Sequence, residues 1–526
     1  MRKESMLSNG VVGARTVFGP LGLRKTIALL CEEIRELYLA DQIPWVVGYS
    51  GGKDSTAVLQ LVWLAIRDLD ASLRTKPIHI ISTDTLVENP VVAAWVKTSL
   101  GTMRQAAKEQ NLPLESHRLT PEVKDTFWVN LIGKGYPAPR TRFRWCTERL
   151  KINPSNAFIR RVVQESGEAI LVLGTRKAES VTRARVMNQL EKERMRDRLS
   201  PNASLPNSLV YSPIEDWSND EVWMFLMQYP NPWGYNNKEL MSMYAGASAD
   251  NECPLVVDTG TPSCGDSRFG CWVCTLVEQD KSMQAMIRND EEKEWMEPLL
   301  MLRNELDQND HQLRDFRRMG GFVQLQRTKD EPVPGPYTQS SRETWLRKVL
   351  EVEQIVRRKA PPEIAEDLTL ITLEELHEIR RIWVFEKHEI EDSLPHIYQE
   401  VRGDSFPGQP LDENFVFGAA EMRILRELCG SDLLQFQLIR ELLNVEQQHR
   451  SMARRAGLFG ALEKAFHRSY YLDQNDAVER ARRRREALVR AGEGDYAQLG
   501  LHLGPETKHD DGVVLADASG LPEGTP

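Results

Sequence analysis

Residues 46–66, VVGYSGGKDSTAVLQLVWLAI, constrain the fold more than any other stretch. An apolar run rich in valine ends in a glycine pair. Val58, Leu61, Val62, Ala65, Ile66 and Leu69 then recur at helical spacing. That order reads as a strand, a tight turn and a helix. The pattern repeats downstream. PIHIISTDT and EAILVLGTRKAES read as further strands with polar ends, LPLESHRL as a third candidate, and VVAAWVKTSLGTMRQAAKEQ as a helix. Strands alternating with helices imply an α/β fold with a mostly parallel sheet. In such sheets ligands bind at the carboxyl ends of the strands, where GYSGGKDS, STDT and LGTRKAES would converge.

The chain has 526 residues, too many for one ordinary core, so two or three domains are expected. The reading divides it into an arm over 1–19, an α/β domain over 20–245 and a Gly/Ser/Cys-rich segment over 246–285. A mainly helical region follows over 286–504, then a polar tail over 505–526 with a disordered composition. SNDEVWMFL carries a capping box, Ser218 with Glu221, and Thr372 with Glu375 forms another. RETWLRKVLEVEQIVRR, TLEELHEIRRIWVFEKHEIED and LLQFQLIRELLNVEQQ read as helices of the later region. No internal repeat is visible.

A membrane-spanning helix needs about 20 apolar residues, and the sequence has no such run. No secretory signal is expected either, so the cytoplasm is the default location. The net charge of -10 is opposite to that of a protein that wraps nucleic acid with its own surface. Basic clusters are local: Arg140, Arg142, Arg144 and Arg149; Arg176, Lys177, Arg183 and Arg185; and Arg482 to Arg485. The last, flanked by Glu479 and Glu486, reads as a solvated helix face.

The glycine turn has the makings of an anion site. Gly51 and Gly52 permit positive φ and close backbone approach, the helix start offers free N–H groups, and Lys53 adds a charge. The Walker A pattern fails, because Val47 stands where its first glycine belongs and Asp54 follows the lysine. The dinucleotide pattern fails as well. The string SGGKDS, Ser50 to Ser55, resembles the PP-loop of the ATP pyrophosphatases, the adenine nucleotide alpha hydrolase-like family. That resemblance implies cleavage of ATP between its α- and β-phosphates, with the loop and Mg²⁺ holding the pyrophosphate portion. It makes Ser50, Gly51, Gly52, Lys53, Asp54 and Ser55 nucleotide-binding residues. Asp54 is read as an aid to Mg²⁺ or as a helix cap. STDT matches the family's second strand end and brings in Thr83 and Asp84. LGTRKAES matches the G-x-R-x-x-E-S pattern of sulfonucleotide reductases through Gly174, Arg176, Glu179 and Ser180. Alone, Arg176 and Glu179 would read as a surface ion pair. Lys53, Asp54, Arg176 and Cys146 form the catalytic set.

Seven cysteines are present, and Cys253, Cys264, Cys271 and Cys274 cluster. Clustered thiols in a cytosolic chain read as metal or redox chemistry. A four-cysteine set suits structural zinc or a [4Fe–4S] cluster, and the neighbouring PP-loop domain favours the cluster. Cys253, beside Pro254, has an alternative as a small buried side chain. Cys146 lies in RFRWCTERLKINP among four arginines, whose charge is expected to lower its pKa. Iron–sulfur reductases carry a cysteine pair at the matching place, where this chain has Cys146 followed by Thr147. Cys146 is therefore either a fourth ligand in place of Cys253 or a free sulfur carrier, and the reading adopts the second.

DTLVENP (84–90), SCGDSRFGCWVCT (263–275) and the helical extension together resemble the sulfurtransferase family of bacterial DNA phosphorothioation systems. That resemblance implies replacement of a non-bridging oxygen of a DNA phosphate by sulfur. It also implies partners: a cysteine desulfurase as sulfur donor, and companion phosphorothioation subunits that present the DNA. Two alternatives stand beside it, a reductase of adenylyl sulfate compounds and a nucleotide-binding assembly subunit without catalysis.

Overall fold

The computed structural model describes residues 16–19, 21–141, 143–194, 196–202, 204–247, 269–326, 329–408, 411, 417–450, 452 and 454–491. The expectations for Cys253, Cys264, Arg142, most of the N-terminal arm and the polar tail fall outside them.

Helix α1, Leu23–Leu39, precedes strand β1, Trp45–Gly48, whose first three residues are buried. Helix α2, Lys53–Arg67, follows the glycine turn. Then come β2, Ile78–Thr83; α3, Pro90–Glu109; β3, Leu114–Leu119; α4, Asn153–Ser166; and β4, Ala169–Val172. Helix α5 is Val181–Lys192, β5 Ser200–Pro201, β6 Ser208–Tyr211, α6 Asn219–Gln228 and α7 Asn237–Gly246. The strand order is β3-β2-β1-β4-β6-β5. All pairings are parallel except that of β5 with β6. The chain runs outward from β1 in both directions, so the topological switch lies between β1 and β4, where such sheets bind ligands. The expected strands are all present. Strands β5 and β6 were not anticipated, because SLVY between Asn207 and Ser212 is too short to show a period.

Local chemistry sets the ends of the helices. Asn89 accepts the Val91 N–H at 3.0 Å with Pro90 at the first helical position of α3. Ser218 and Glu221 form the expected capping box on α6, and Thr372 and Glu375 do so on the helix Leu373–Arg381. Glu221 also accepts from the Val17 N–H and the Thr16 hydroxyl, tying the chain's first described residues to the sheet domain.

The described residues form two main cores. The first packs α1, α2, α3 and α6 on one face of the sheet, with Trp45, Trp63, Trp223 and Trp233 fully buried or nearly so. The second combines Phe127–Ile132, Trp145 and Leu150 with Trp272, Val273 and helices between Lys281 and Arg402. Thus the connection between β3 and α4 leaves the sheet and packs with the helical half. Trp128 Nε1 donates to the Leu370 carbonyl at 2.7 Å, and Trp383 Nε1 to that of Ile132 at 2.9 Å. Burying such aromatic bodies with their N–H satisfied stabilises the junction by several kcal/mol, at about 25 cal/mol per Å².

The C-terminal region is helical over Gln339–Lys359, Leu373–Arg381, Ser393–Arg402, Ala419–Cys429, Leu433–Arg450, Leu458–Ser469 and Gln474–Ala491. A cavity of about 1710 Å³ lies here. Its walls include the charge pairs Arg342 with Glu389, Arg440 with Glu391 and Arg468 with Glu441 beside apolar residues such as Phe385 and Phe436. It contains none of the expected site residues. Arg482 and Arg483 pair with Glu479, and Arg485 with Asp330, the solvated face expected there. No described helix is long and apolar enough to cross a membrane.

Candidate active site

The glycine turn joins β1 to α2. Gly51 has φ +76°, and a Cβ there would stand 2.5 Å from Val96 Cγ2 of α3. Gly52 is the N-cap of α2 and supplies no side-chain cap. Asp54 is therefore the second residue inside the helix, and the alternative reading of it as a cap does not hold. A helix start has N–H groups without intrahelical acceptors. Here the Lys53 N–H donates to Tyr244 Oη at 3.2 Å. Those of Gly52, Asp54 and Ser55 have no acceptor among the described residues, which suits an anion. The Ser55 hydroxyl donates to the Gly52 carbonyl at 3.0 Å and accepts the Ser50 N–H at 3.2 Å, bracing the turn.

The end of β4 closes on this helix start. A Cβ on Gly174 would lie 2.8 Å from the Asp54 carbonyl carbon, so only glycine fits. Two residues later Arg176 is 4% exposed. Its Nε donates to Asp54 Oδ1 at 2.7 Å and its Nη1 to the Trp217 carbonyl at 3.1 Å. Lys53 Nζ lies 3.1 Å from the other Asp54 oxygen. Asp54 thus holds both cations at the mouth of the turn. The surface ion pair between Arg176 and Glu179 is not what forms. Glu179 accepts the backbone N–H of Arg176 at 2.9 Å and pairs with Arg183. Lys177 is bound by Glu191 and Asp216.

At the end of β2, the Thr83 hydroxyl lies 2.9 Å from that of Ser155. Asp84 pairs with Arg118 and accepts the Leu86 N–H at 2.7 Å. Thr85 is fully buried, and its hydroxyl meets Glu88 at 3.0 Å and Cys271 Sγ at 3.3 Å. The backbone completes the joint. The Asn89 N–H donates to the Gly270 carbonyl at 3.2 Å, and the Trp272 N–H to that of Val87 at 2.9 Å. The second strand end therefore carries the thiol loop directly.

Cys146, Cys271 and Cys274 gather at this joint. Cys274 lies close enough to act electrostatically on both of the other thiols. Cys146 begins a π-helical turn, Thr147–Ile152, a wide turn of a kind common at functional sites. Lys151 lies on that turn, 3.5 Å from Glu88. Its pKa is raised, first by Cys271 and also by Glu88 and Cys274. Burial pushes the Cys271 thiol up, and Glu88 adds to it. Burial also raises the Cys146 pKa. That corrects the expectation of a thiolate activated by arginines. Arg140 reaches Asp307 and the carbonyls of Leu306 and Gln308, Arg149 reaches Asn130 and Tyr136, and Arg144 is exposed. The nearby cation is Lys151. Two half-buried thiols near an ammonium have the chemistry of a soft-metal or iron–sulfur ligand set, since a bound metal would deprotonate them. Cys271 and Cys274 fit that role.

Tyr244, Thr85, Glu88, Lys151 and Ser155 went unassigned from sequence. Glu88 and Lys151 lie inside DTLVENP and RFRWCTERLKINP, strings already singled out. Tyr244, in a helix with no motif, gave no signal. It stacks edge-on against Phe269 with centroids 4.7 Å apart, linking the glycine turn to the thiol loop.

Residues 44–276 match the family model of the phosphoadenosine phosphosulfate reductase domain. An uncharacterized protein of Methanocaldococcus jannaschii, MJ0066, is 26% identical over 200 residues, 38% of this chain and 35% of the relative. The match thus spans about a third of that relative's length. A phosphoadenylyl-sulfate reductase from Candida auris, solved as a phosphate complex, overlaps 41% of this chain and 91% of its own. Identity is 15% and the TM-score 0.24. The U34-tRNA thiolase NcsA from Methanococcus maripaludis, with its [4Fe–4S] cluster, overlaps 42% and 72% at 14% identity and a TM-score of 0.25. The matched segment, less than half of the chain, is thus similar to the phosphoadenosine phosphosulfate reductase domain.

Proposed function

We propose that this chain is the sulfurtransferase of a bacterial DNA phosphorothioation system, acting in the cytoplasm. The observation that carries the reading is the joining of two sites: an anion-binding turn with Asp54, Lys53 and Arg176, and a thiol group built on the next strand end. A nucleotide-activating site beside thiols suits activation of an oxygen followed by its replacement with sulfur. The choice of DNA rests on the resemblance of DTLVENP and SCGDSRFGCWVCT to that family.

ATP binds with Mg²⁺, its pyrophosphate portion on the Ser50–Ser55 turn, with Thr83 and Asp84 at the nucleotide's other side. A non-bridging oxygen of the DNA phosphate attacks the α-phosphorus, and pyrophosphate leaves. The N–H groups of Gly52, Asp54 and Ser55, with Lys53 and Arg176, stabilise the charge that develops. The activated oxygen can now depart as AMP. A cysteine desulfurase loads Cys146 with a persulfide. Its terminal sulfur attacks the DNA phosphorus and expels AMP, and an external thiol then attacks Sγ of Cys146 and frees the phosphorothioate. The resulting mixed disulfide is reopened by a second equivalent of thiol. Cys271 and Cys274, with Cys253 and Cys264, would hold a [4Fe–4S] cluster. When bound, such a cluster supplies charge and redox tuning beside the carrier. Companion subunits present the DNA, in keeping with a net charge of -10.

Mass spectrometry of DNA digests from cells with and without the gene tests this reading. Phosphorothioate-linked dinucleotides present only with the gene are expected, and their absence from both overturns it. The match of residues 44–276 favours one rival, a sulfonucleotide reductase. Sulfite release from adenylyl sulfate compounds with a thiol reductant would establish that rival instead.

A further inference from the structure

A second set of metal-ligand side chains lies on the sheet, apart from the cysteines. The register of β2 with β3 pairs His79 with Glu115 and Ile81 with His117. Side chains alternate along a strand, so His79, Glu115 and His117 rise on one face, that of α4. His79 Nδ1 and His117 Nε2 are 3.1 Å apart. Oε2 of Glu115 is 3.8 Å from each of those nitrogens. The point equidistant from three atoms so spaced lies roughly 2.1 Å from each, the length of zinc bonds to nitrogen and oxygen. Among the described residues this is the one trio of such donors within 4.8 Å of one another.

A hydrogen bond between two neutral imidazoles accounts for the first distance. It does not account for a carboxylate set equally from both rings, with no other polar contact among the described residues. The rings are held from above by Phe158 of α4, with centroids 5.6 Å from His79 and 4.8 Å from His117. Burial, the leading cause, lowers both histidine pKa values and keeps the rings in the neutral form that binds metals. The surrounding charges are mixed. Glu165 and Arg161 come from α4, and Arg104 from α3. Arg161 lies over the Phe158 ring at 4.9 Å, and Arg104 donates to the Ser116 carbonyl at 3.2 Å.

We propose that His79, Glu115 and His117 form a zinc-class divalent metal site, independent of the cysteines, that fastens the edge strand β3 to β2 beneath α4. Glu115 is 67% exposed, so the remaining coordination position opens to water. Helix α4 also carries Ser155, which touches Thr83 at the second strand end. The site therefore braces one wall of the nucleotide site from below.

The test uses the full chain, stripped with chelator and titrated with Co²⁺ alone. In a Cys271→Ser/Cys274→Ser background, where the thiols that fit a soft metal are gone, the expected product shows d–d absorption without the intense near-ultraviolet charge transfer of cobalt thiolates. Glu115→Gln, an exposed change that leaves the fold intact, weakens the affinity at least tenfold, and His117→Gln abolishes the signal. In the same background Zn²⁺ raises the melting temperature, and adding Glu115→Gln removes most of that rise. No thiolate-free cobalt signal, or equal affinity with and without Glu115→Gln, would leave a hydrogen-bonded histidine pair and overturn the proposal. Neither result bears on phosphorothioate formation, so this inference and the proposed function fail separately.

Discussion

The two halves of the candidate site are built by opposite means. The anion-binding turn is made largely of backbone. Six consecutive residues, a positive φ at Gly51 and a helix start create it, and β4 adds Gly174 and Arg176 from above. The thiol group is made of side chains from three distant segments: Thr85 and Glu88, Cys146 and Lys151, Cys271 and Cys274. The first depends on exact backbone clearance and tolerates little added volume. The second depends on charge balance among half-buried groups that the fold brings together.

The comparison breaks if damage to one half disables the other. Gly174→Ala and Lys53→Ala carry the largest expected effects. The first forces β4 off the start of α2, and the second removes the lysine charge of the turn. Each should lower pyrophosphate release from ATP by about 100-fold or more, while Cys271→Ser leaves that release within about threefold in a thiol-free assay. Near-equal losses in all three variants would mean one site rather than two. Next comes Cys271→Ser on the other side. Visible absorption after anaerobic purification should vanish there and persist in Lys53→Ala. Cys146→Ser is expected to keep the absorption and lose sulfur transfer. Loss of both would place Cys146 among the ligands and retire it as a carrier.

A smaller effect is expected from Arg176→Lys. The ammonium cannot reach Asp54 and the Trp217 carbonyl together. Roughly tenfold slower turnover and about 1–3 kcal/mol of lost stability in urea should follow. The smallest concerns pH. Cys146 is held protonated by burial, so its alkylation by iodoacetamide should be slow at neutral pH. The rate should climb as pH rises past the ordinary thiol range. Half-maximal reactivity below pH 7 would restore the arginine-activated thiolate.

These opposite constructions also explain what was legible in the sequence. The turn could be read because its chemistry is local: SGGKDS lies between an apolar strand and an amphipathic helix. The sheet followed from the same alternation, apart from the brief strands β5 and β6. Arg176 was found by pattern, but its partner was not, since contact between Asp54 and Arg176 depends on β4 lying beside β1. The thiol group was read as cysteines and arginines. Its working cation, Lys151, was hidden by five-residue spacing on a π-helical turn, where α-helical spacing does not apply. Nor did any local pattern show that Phe127–Trp145 shares a core with Trp272 and the later helices.

Tyr244 gives the molecule a property of its own. The Lys53 N–H already has an acceptor in the Tyr244 hydroxyl, and one N–H cannot serve two acceptors at full strength. A phosphate oxygen drawn to that donor therefore trades places with a phenol rather than adding to it. The exchange gives little net hydrogen-bond enthalpy. The same ring packs edge-on against Phe269, two residues from Cys271, so the phenol that competes with an anion for the Lys53 N–H is also the aromatic neighbour of the thiol loop.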